Sequence, residues 1–86
     1  MRREIVEKEL REVLASRMPG GVDPAALRMD VPIFRGGFGL DSISGLELVV
    51  EIERRFEIRI EDDDLDVFDS LDRLVDFVAA RASGRQ

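Results

Sequence analysis

Residues 42 to 56 read SISGLELVVEIERRF, and the spacing of their apolar side chains decides how the chain folds. At about 100° per residue, Leu48, Val49, Ile52 and Phe56 fall within an arc of roughly 100°. That arc predicts a helix over 42–56 with one side turned to a core. Ile43, Leu46 and Val50 form a second arc roughly opposite Leu48 and Ile52, with Glu47, Glu53, Arg54 and Glu57 around it. A helix in so short a chain is seldom buried on both sides. The second arc therefore predicts an exposed apolar strip rimmed by charge, as a docking face would be. The alternative is that the first helix or a short third one covers Ile43 or Leu46.

Working outward, residues 3–17 place Val6, Leu10, Val13 and Leu14 at helical spacing between Glu and Arg residues. This first helix should stop near Met18, where Pro19-Gly20-Gly21 breaks the pattern. A long connection follows to about residue 41. Within it Asp23-Pro24 looks like the start of a helical turn, with aspartate as cap and proline at the first position. Leu27, Val31, Ile33 and Phe34 are its expected anchors to the core. Connections of this length in small domains often carry function.

After the second helix, Phe56-Glu-Ile-Arg-Ile60 alternates like a strand but has no second strand to pair with, so an extended connector is expected. Glu61 to Asp64 suit the first turn of a short third helix, with Leu65 and Phe68 on its buried side. Ser70 should cap a fourth helix striped by Leu71, Leu74, Val75 and Val78, and the tail 83–86 should fray. The fold class is all-α: one small four-helix bundle spanning 1–86, with three longer helices, a short third helix and a long loop between helices 1 and 2.

Composition narrows the function classes. With 44% hydrophobic and 37% charged residues among 86, this is a folded chain with room for one core. No stretch of about 18 apolar residues suggests a membrane span, and the start lacks a signal-peptide core, so a cytoplasmic location is expected without membrane insertion. Nineteen acids against thirteen bases give a net charge of −6, which repels phosphate backbones and makes nucleic acid a poor partner. A basic partner surface fits better. Cysteine and histidine are both absent, which removes thiolate metal sites, the commonest general base and the commonest metal ligand. An enzyme is disfavoured.

Three stretches invite a chemical reading. The acidic run Glu61-Asp-Asp-Asp-Leu-Asp66 has the opening spacing of a calcium loop. It has Val67 where glycine is needed and Arg73 where the last glutamate belongs, so no dedicated metal site is expected. Gly36-Gly-Phe-Gly39 lacks the lysine of a nucleotide loop. Ser42 and Ser44 stand at a helix start, where free N–H groups and the dipole favour a phosphate. Neither has a base to make it a nucleophile. On local physics Asp41, Ser42 and Ser44 compete to cap the helix, and Ser44-Gly-Leu-Glu47 fits a capping box.

Taken together, the chain resembles an acyl carrier protein. The resemblance rests on the helix order and on Phe34-x-x-x-Phe38-Gly39-x-Asp41-Ser42-Ile43, followed by Leu46-Glu47-Leu48, Phe56 and a short acidic third helix. The Gly-x-Asp-Ser-Ile core is only moderately specific by itself; with Phe34, Glu47 and Phe56 at their spacings it becomes strong. The resemblance implies that Ser42, next to Asp41, receives 4′-phosphopantetheine from coenzyme A through a phosphopantetheinyl transferase, and that the arm's thiol holds an acyl chain. It implies a non-catalytic carrier, expected to be monomeric, that meets acyl-processing enzymes through their basic docking patches. Family docking roles map onto Ile43, Leu46, Glu47, Val50 and Glu53, and Leu48, Ile52 and Phe56 match positions around the acyl-chain cavity. Ser44 and Arg54 depart from the acidic pattern of fatty-acid carriers, which points to a specialised fatty-acid, polyketide or related pathway. Arg54 would meet a basic patch with like charge. The other class that explains the acidic face and the exposed strip is a helical interaction adaptor without a prosthetic group. That class leaves Asp41-Ser42 at the end of a glycine-rich loop unexplained.

Overall fold

The apolar stripes read from the sequence close on one another. In a computed structural model the described residues are 2–17, 22–30, 32–33 and 42–82, with the side chains of 42–44 excluded. They form α1 (Arg3–Ser16), a 3₁₀ turn (Pro24–Ala26), α2 (Ser42–Phe56), a 3₁₀ helix (Asp62–Asp69) and α3 (Leu71–Ala82). No strand occurs among the described residues, and none of their helices is long and apolar enough to cross a membrane. This is the all-helical bundle expected, with the short third helix wound as 3₁₀. The expected anchors Val31 and Phe34, residues 36–39 of the glycine-rich loop, Asp41 and the tail 83–86 lie outside the described residues.

The core is built from the predicted stripes. Val6, Leu10 and Leu14 of α1, Leu48, Ile52 and Phe56 of α2, and Leu71, Leu74, Val75 and Val78 of α3 are all fully buried, joined by Phe68 and, from the long connection, Leu27 and Ile33. α1 packs on both α2 and α3, and the 3₁₀ helix packs on α3. Arg3 ties the start of α1 to α3 through Asp76 (2.6 Å) and Asp72 (2.5 Å).

Polar contacts fix the described part of the connection. Asp23 accepts a hydrogen bond from the Ala25 N–H at 3.0 Å, with Pro24 at the first position, as the Asp-Pro pair predicts. Arg11, itself held by Glu7 at 2.9 Å, donates to the carbonyls of Pro24 (3.0 Å) and Leu27 (2.6 Å). On the other side the Ile33 N–H donates to Phe68 O at 3.0 Å, and Asp72 N–H donates to Met29 O at 2.9 Å. Arg28 hydrogen bonds to Asp30 at 2.9 Å, which holds that carboxyl below the usual carboxylate range.

Helix ends account for two expectations, and the expected burial of Leu65 is corrected. The Ser70 hydroxyl accepts from the Arg73 N–H at 3.1 Å, so Ser70 caps α3 as read. The connector after α2 begins with a Schellman closure: Glu57 takes φ 55° and the Ile58 N–H reaches back to Glu53 O at 3.2 Å. The serine side chain of the capping box expected at Ser44–Glu47 lies outside the described residues. α2 already starts at Ser42, so Ser44 lies inside its first turn, and the Glu47 carboxylate turns to Arg17. Leu65, expected on the buried side, is 41% exposed. Asp64 occupies the inward side in its place: its carboxylate accepts from the Glu61 N–H at 3.0 Å and faces Arg81 of α3 at 3.5 Å. Val67 and Phe68, one turn on, follow Asp64 inward, which leaves Leu65 outside.

Two stability measurements check this packing. Leu48→Ala and Ile52→Ala are expected to lose about 2 to 5 kcal/mol in urea melts, the range for truncating a buried aliphatic side chain. Val50→Ala, on the outer face, should lose less than about 1 kcal/mol; equal losses at all three positions would contradict the burial. At position 57, valine and asparagine both remove the carboxylate, so their difference isolates the backbone. Glu57→Val should be about 1 kcal/mol or more less stable than Glu57→Asn, because a β-branched residue resists the left-handed region.

Candidate functional site

Ser42 is the first residue of α2. The opening N–H groups of an α-helix have no carbonyl partner within the helix, and they sit at the positive end of its dipole. The first turn of α2 contains no acidic residue that would compete for those donors or repel an anion. The backbone at this end therefore fits a phosphate ester on residue 42. Asp41 and the side chains of Ser42 and Ile43 lie outside the described residues. Gly45, one turn into the helix, is buried.

From Ser42 the helix presents two faces. Leu48, Ile52 and Phe56 are fully buried in the core. Leu46 is 68% exposed and Val50 45% exposed, one turn apart on the outer side. Together with Arg17, Glu47, Glu51 and Arg54 they line a groove of about 310 Å³. A second groove, of about 450 Å³, runs on the other side of Val50 and Arg54, where Ile58, Ile60 and Glu61 of the connector form its far wall. Val50 and Arg54 are thus the ridge between two depressions.

The charges around this ridge differ from the impression given by the sequence. Arg17, just past the end of α1, reaches Glu47 at 3.3 Å and Glu51 at 3.7 Å. Arg55 also reaches Glu51, and Glu9 of α1, each at 3.8 Å. The Glu53 carboxylate accepts a hydrogen bond from the Ile60 N–H at 2.8 Å and closes the connector onto α2. Three acids of α2 are therefore engaged within the molecule. Arg54 is exposed and has no carboxylate within ion-pair distance among the described residues. Arg17 had no local signal in the sequence. It sits thirty residues from Glu47, and only the packing of α1 on α2 brings them together.

The family model for the phosphopantetheine attachment site matches residues 8–78 of the chain. The chain belongs to this family of acyl carrier proteins. It is similar to acyl carrier protein 2 of Pseudomonas aeruginosa, with 32% identity over 73 residues that cover 85% of this chain and 89% of the relative. It is also similar to the acyl carrier protein of Guillardia theta, with 32% identity over 80 residues and coverage of 93% and 94%. That of the Aster yellows witches'-broom phytoplasma is 28% identical over 79 residues, 92% of this chain and all of the relative. No solved structure matches the chain significantly. The cofactor of this family is 4′-phosphopantetheine, and the carrier serves enzymes without being one. Acyl-processing enzymes are accordingly the partners of the carrier.

The role of Glu53 in this carrier is open to direct measurement. A part-buried N–H that loses a charged acceptor costs about 1 to 3 kcal/mol. Glu53→Ala is expected to fall within that range in a urea melt, and Glu53→Gln, which keeps an acceptor oxygen, should recover most of the loss. Equal stability of all three forms would show that the Ile60 contact contributes nothing.

Proposed function

We propose that the Ser42 hydroxyl is the point at which a phosphopantetheinyl transferase joins the arm from coenzyme A. The observation that carries this reading is the position of Ser42 at the first residue of α2, whose opening turn is free of carboxylates. When bound, the arm supplies a terminal thiol that holds an acyl group as a thioester. The backbone N–H groups at the start of α2 would then face the arm's phosphate and favour its negative charge. Asp41, directly before Ser42, completes the Asp-Ser pair on which the resemblance to the family rests.

The rest of α2 supports two further assignments. Leu46 and Val50, exposed on the side away from the core, are the apolar contacts offered to a partner, with Ile43, Glu47, Glu53 and Arg54 as the remaining docking positions. Leu48, Ile52 and Phe56, fully buried below the same helix, are the side chains between which an acyl chain would insert. The pathway we propose is a specialised one, of fatty-acid, polyketide or related type. Ser44 and Arg54 support it as breaks in an otherwise acidic docking helix.

Intact-mass measurement after incubation with coenzyme A and a broad-specificity phosphopantetheinyl transferase tests the attachment. The wild type and Ser44→Ala should gain the mass of one arm, and Ser42→Ala should gain none while its helical circular dichroism is kept. Modification of Ser42→Ala, with loss of modification in Ser44→Ala, would move the site to Ser44. A wild type that gains nothing would leave an adaptor without a prosthetic group.

A further inference from the structure

Resting on the reading of Leu48, Ile52 and Phe56 as the walls of the acyl site, we infer that the connector 57–61 is the end of that site that yields, and that Glu53 sets how long an acyl chain the site holds before it does. The wall residues stand one turn apart along α2, at about 9, 15 and 21 Å of axial rise from Ser42. A chain entering from the Ser42 end therefore passes Leu48 first and Phe56 last. Directly after Phe56 the backbone reverses: Glu57 takes φ 55° and the Ile58 N–H returns to Glu53 O at 3.2 Å. The reversal lays Ile58 and Ile60 against the core beyond Phe56.

The connector is held less firmly than what surrounds it. The wall residues are fully buried, whereas Ile58 and Ile60 are half-buried. On the α2 side the Glu53 carboxylate accepts from the Ile60 N–H at 2.8 Å, and on the α3 side Arg81 reaches the Arg59 carbonyl at 3.5 Å. Local opening draws on the segment with the least buried surface. The open groove of about 450 Å³ between the connector and Val50 gives this one room to move. Two magnitudes set the limit. Each methylene added to the buried length of a cargo favours burial by about fourfold. A charge-assisted bond to a half-buried N–H opposes opening by about tenfold. Glu53 therefore keeps the connector shut against about the first two methylenes that reach beyond Phe56, and the connector lifts for longer chains. Glu53 is a positioning residue in this scheme: it acts on cargo length through Ile60.

A series of cargoes tests this. The full-length carrier is loaded with arms ending in acetyl, hexanoyl, octanoyl, decanoyl or dodecanoyl groups, joined as amides so that they persist. Amide shifts and hydrogen exchange are followed by NMR, each form being compared with its own acetyl-loaded state. In the wild type the longer cargoes are expected to shift Leu48 and Ile52, while the amides of 58–60 stay unchanged up to a threshold length. Dodecanoyl lies beyond that threshold: the connector amides shift, and Ile60 exchanges about tenfold faster, the scale of one charge-assisted hydrogen bond. Glu53→Ala should lower the threshold by about two methylenes, one step of the series. Glu53→Gln, which keeps an acceptor oxygen, should restore most of it; circular dichroism confirms that both variants are folded. A merely structural role would disturb the connector equally with every cargo, acetyl included, and leave no threshold to move. That outcome overturns the inference, as does a wild-type connector unchanged by dodecanoyl or a Glu53→Ala threshold equal to that of the wild type. Shifts at Leu48 and Ile52 beside an unchanged connector keep the acyl site and remove this inference alone. No shift at Leu48 or Ile52 with any cargo removes both, and the arm's attachment is read separately by mass.

Discussion

The rotation of α2 about its own axis is the constraint on which the rest depends. Leu48, Ile52 and Phe56 are fully buried, and at their spacing they can enter the core only together. Once they do, Leu46, Val50 and Arg54 have no side to face but the outer one, and Ser42 stands at the beginning of the helix. The proposed attachment point, the apolar ridge and the charge of Arg54 are thus positioned by a stripe of three buried residues. A turn of the helix by one residue would put Val50 in the core and bring Leu48 out, moving every functional group at once.

A second requirement is that the long connection should not drift over the proposed docking face. Arg11 holds its first part from below through two carbonyls, and two backbone hydrogen bonds join its later part to Phe68 and to the first turn of α3. Leu27 and Ile33 add buried weight at those points. The described part of the connection is therefore fastened to α1 and α3. The grooves on the outer side of α2 are lined by α2 itself, Arg17 and the connector that follows α2.

The sequence made the apolar framework legible because burial follows periodicity: the predicted stripes in α1, α2 and α3 are buried, with Val49, at the edge of the α2 arc, only partly so. The Asp23-Pro24 and Ser70 caps were equally readable, since each is a local event involving a neighbouring N–H. Leu65 was misread because a carboxylate on its own helix found a cation on α3 and took the inward position. Asp41, Ser42 and Ser44 all read as candidate caps, and the start of α2 at Ser42 places Ser44 inside its first turn. At the candidate site, the order of Ser42, Leu46 and Val50 along one helix was visible. The state of its charges was not. Glu47 and Glu51 look available in any linear reading, and only the tertiary approach of Arg17 shows them occupied.

The packing of α1 against α3 has a consequence for how the molecule is made. Val6, Leu10 and Leu14 find part of their cover in a helix that begins at Leu71, and the ion pairs of Arg3 lie with Asp72 and Asp76 of that same helix. A nascent chain holds part of its first apolar stripe uncovered until the residues of α3 have been synthesised. Closure of that long loop, rather than the winding of any single helix, is then the slow event.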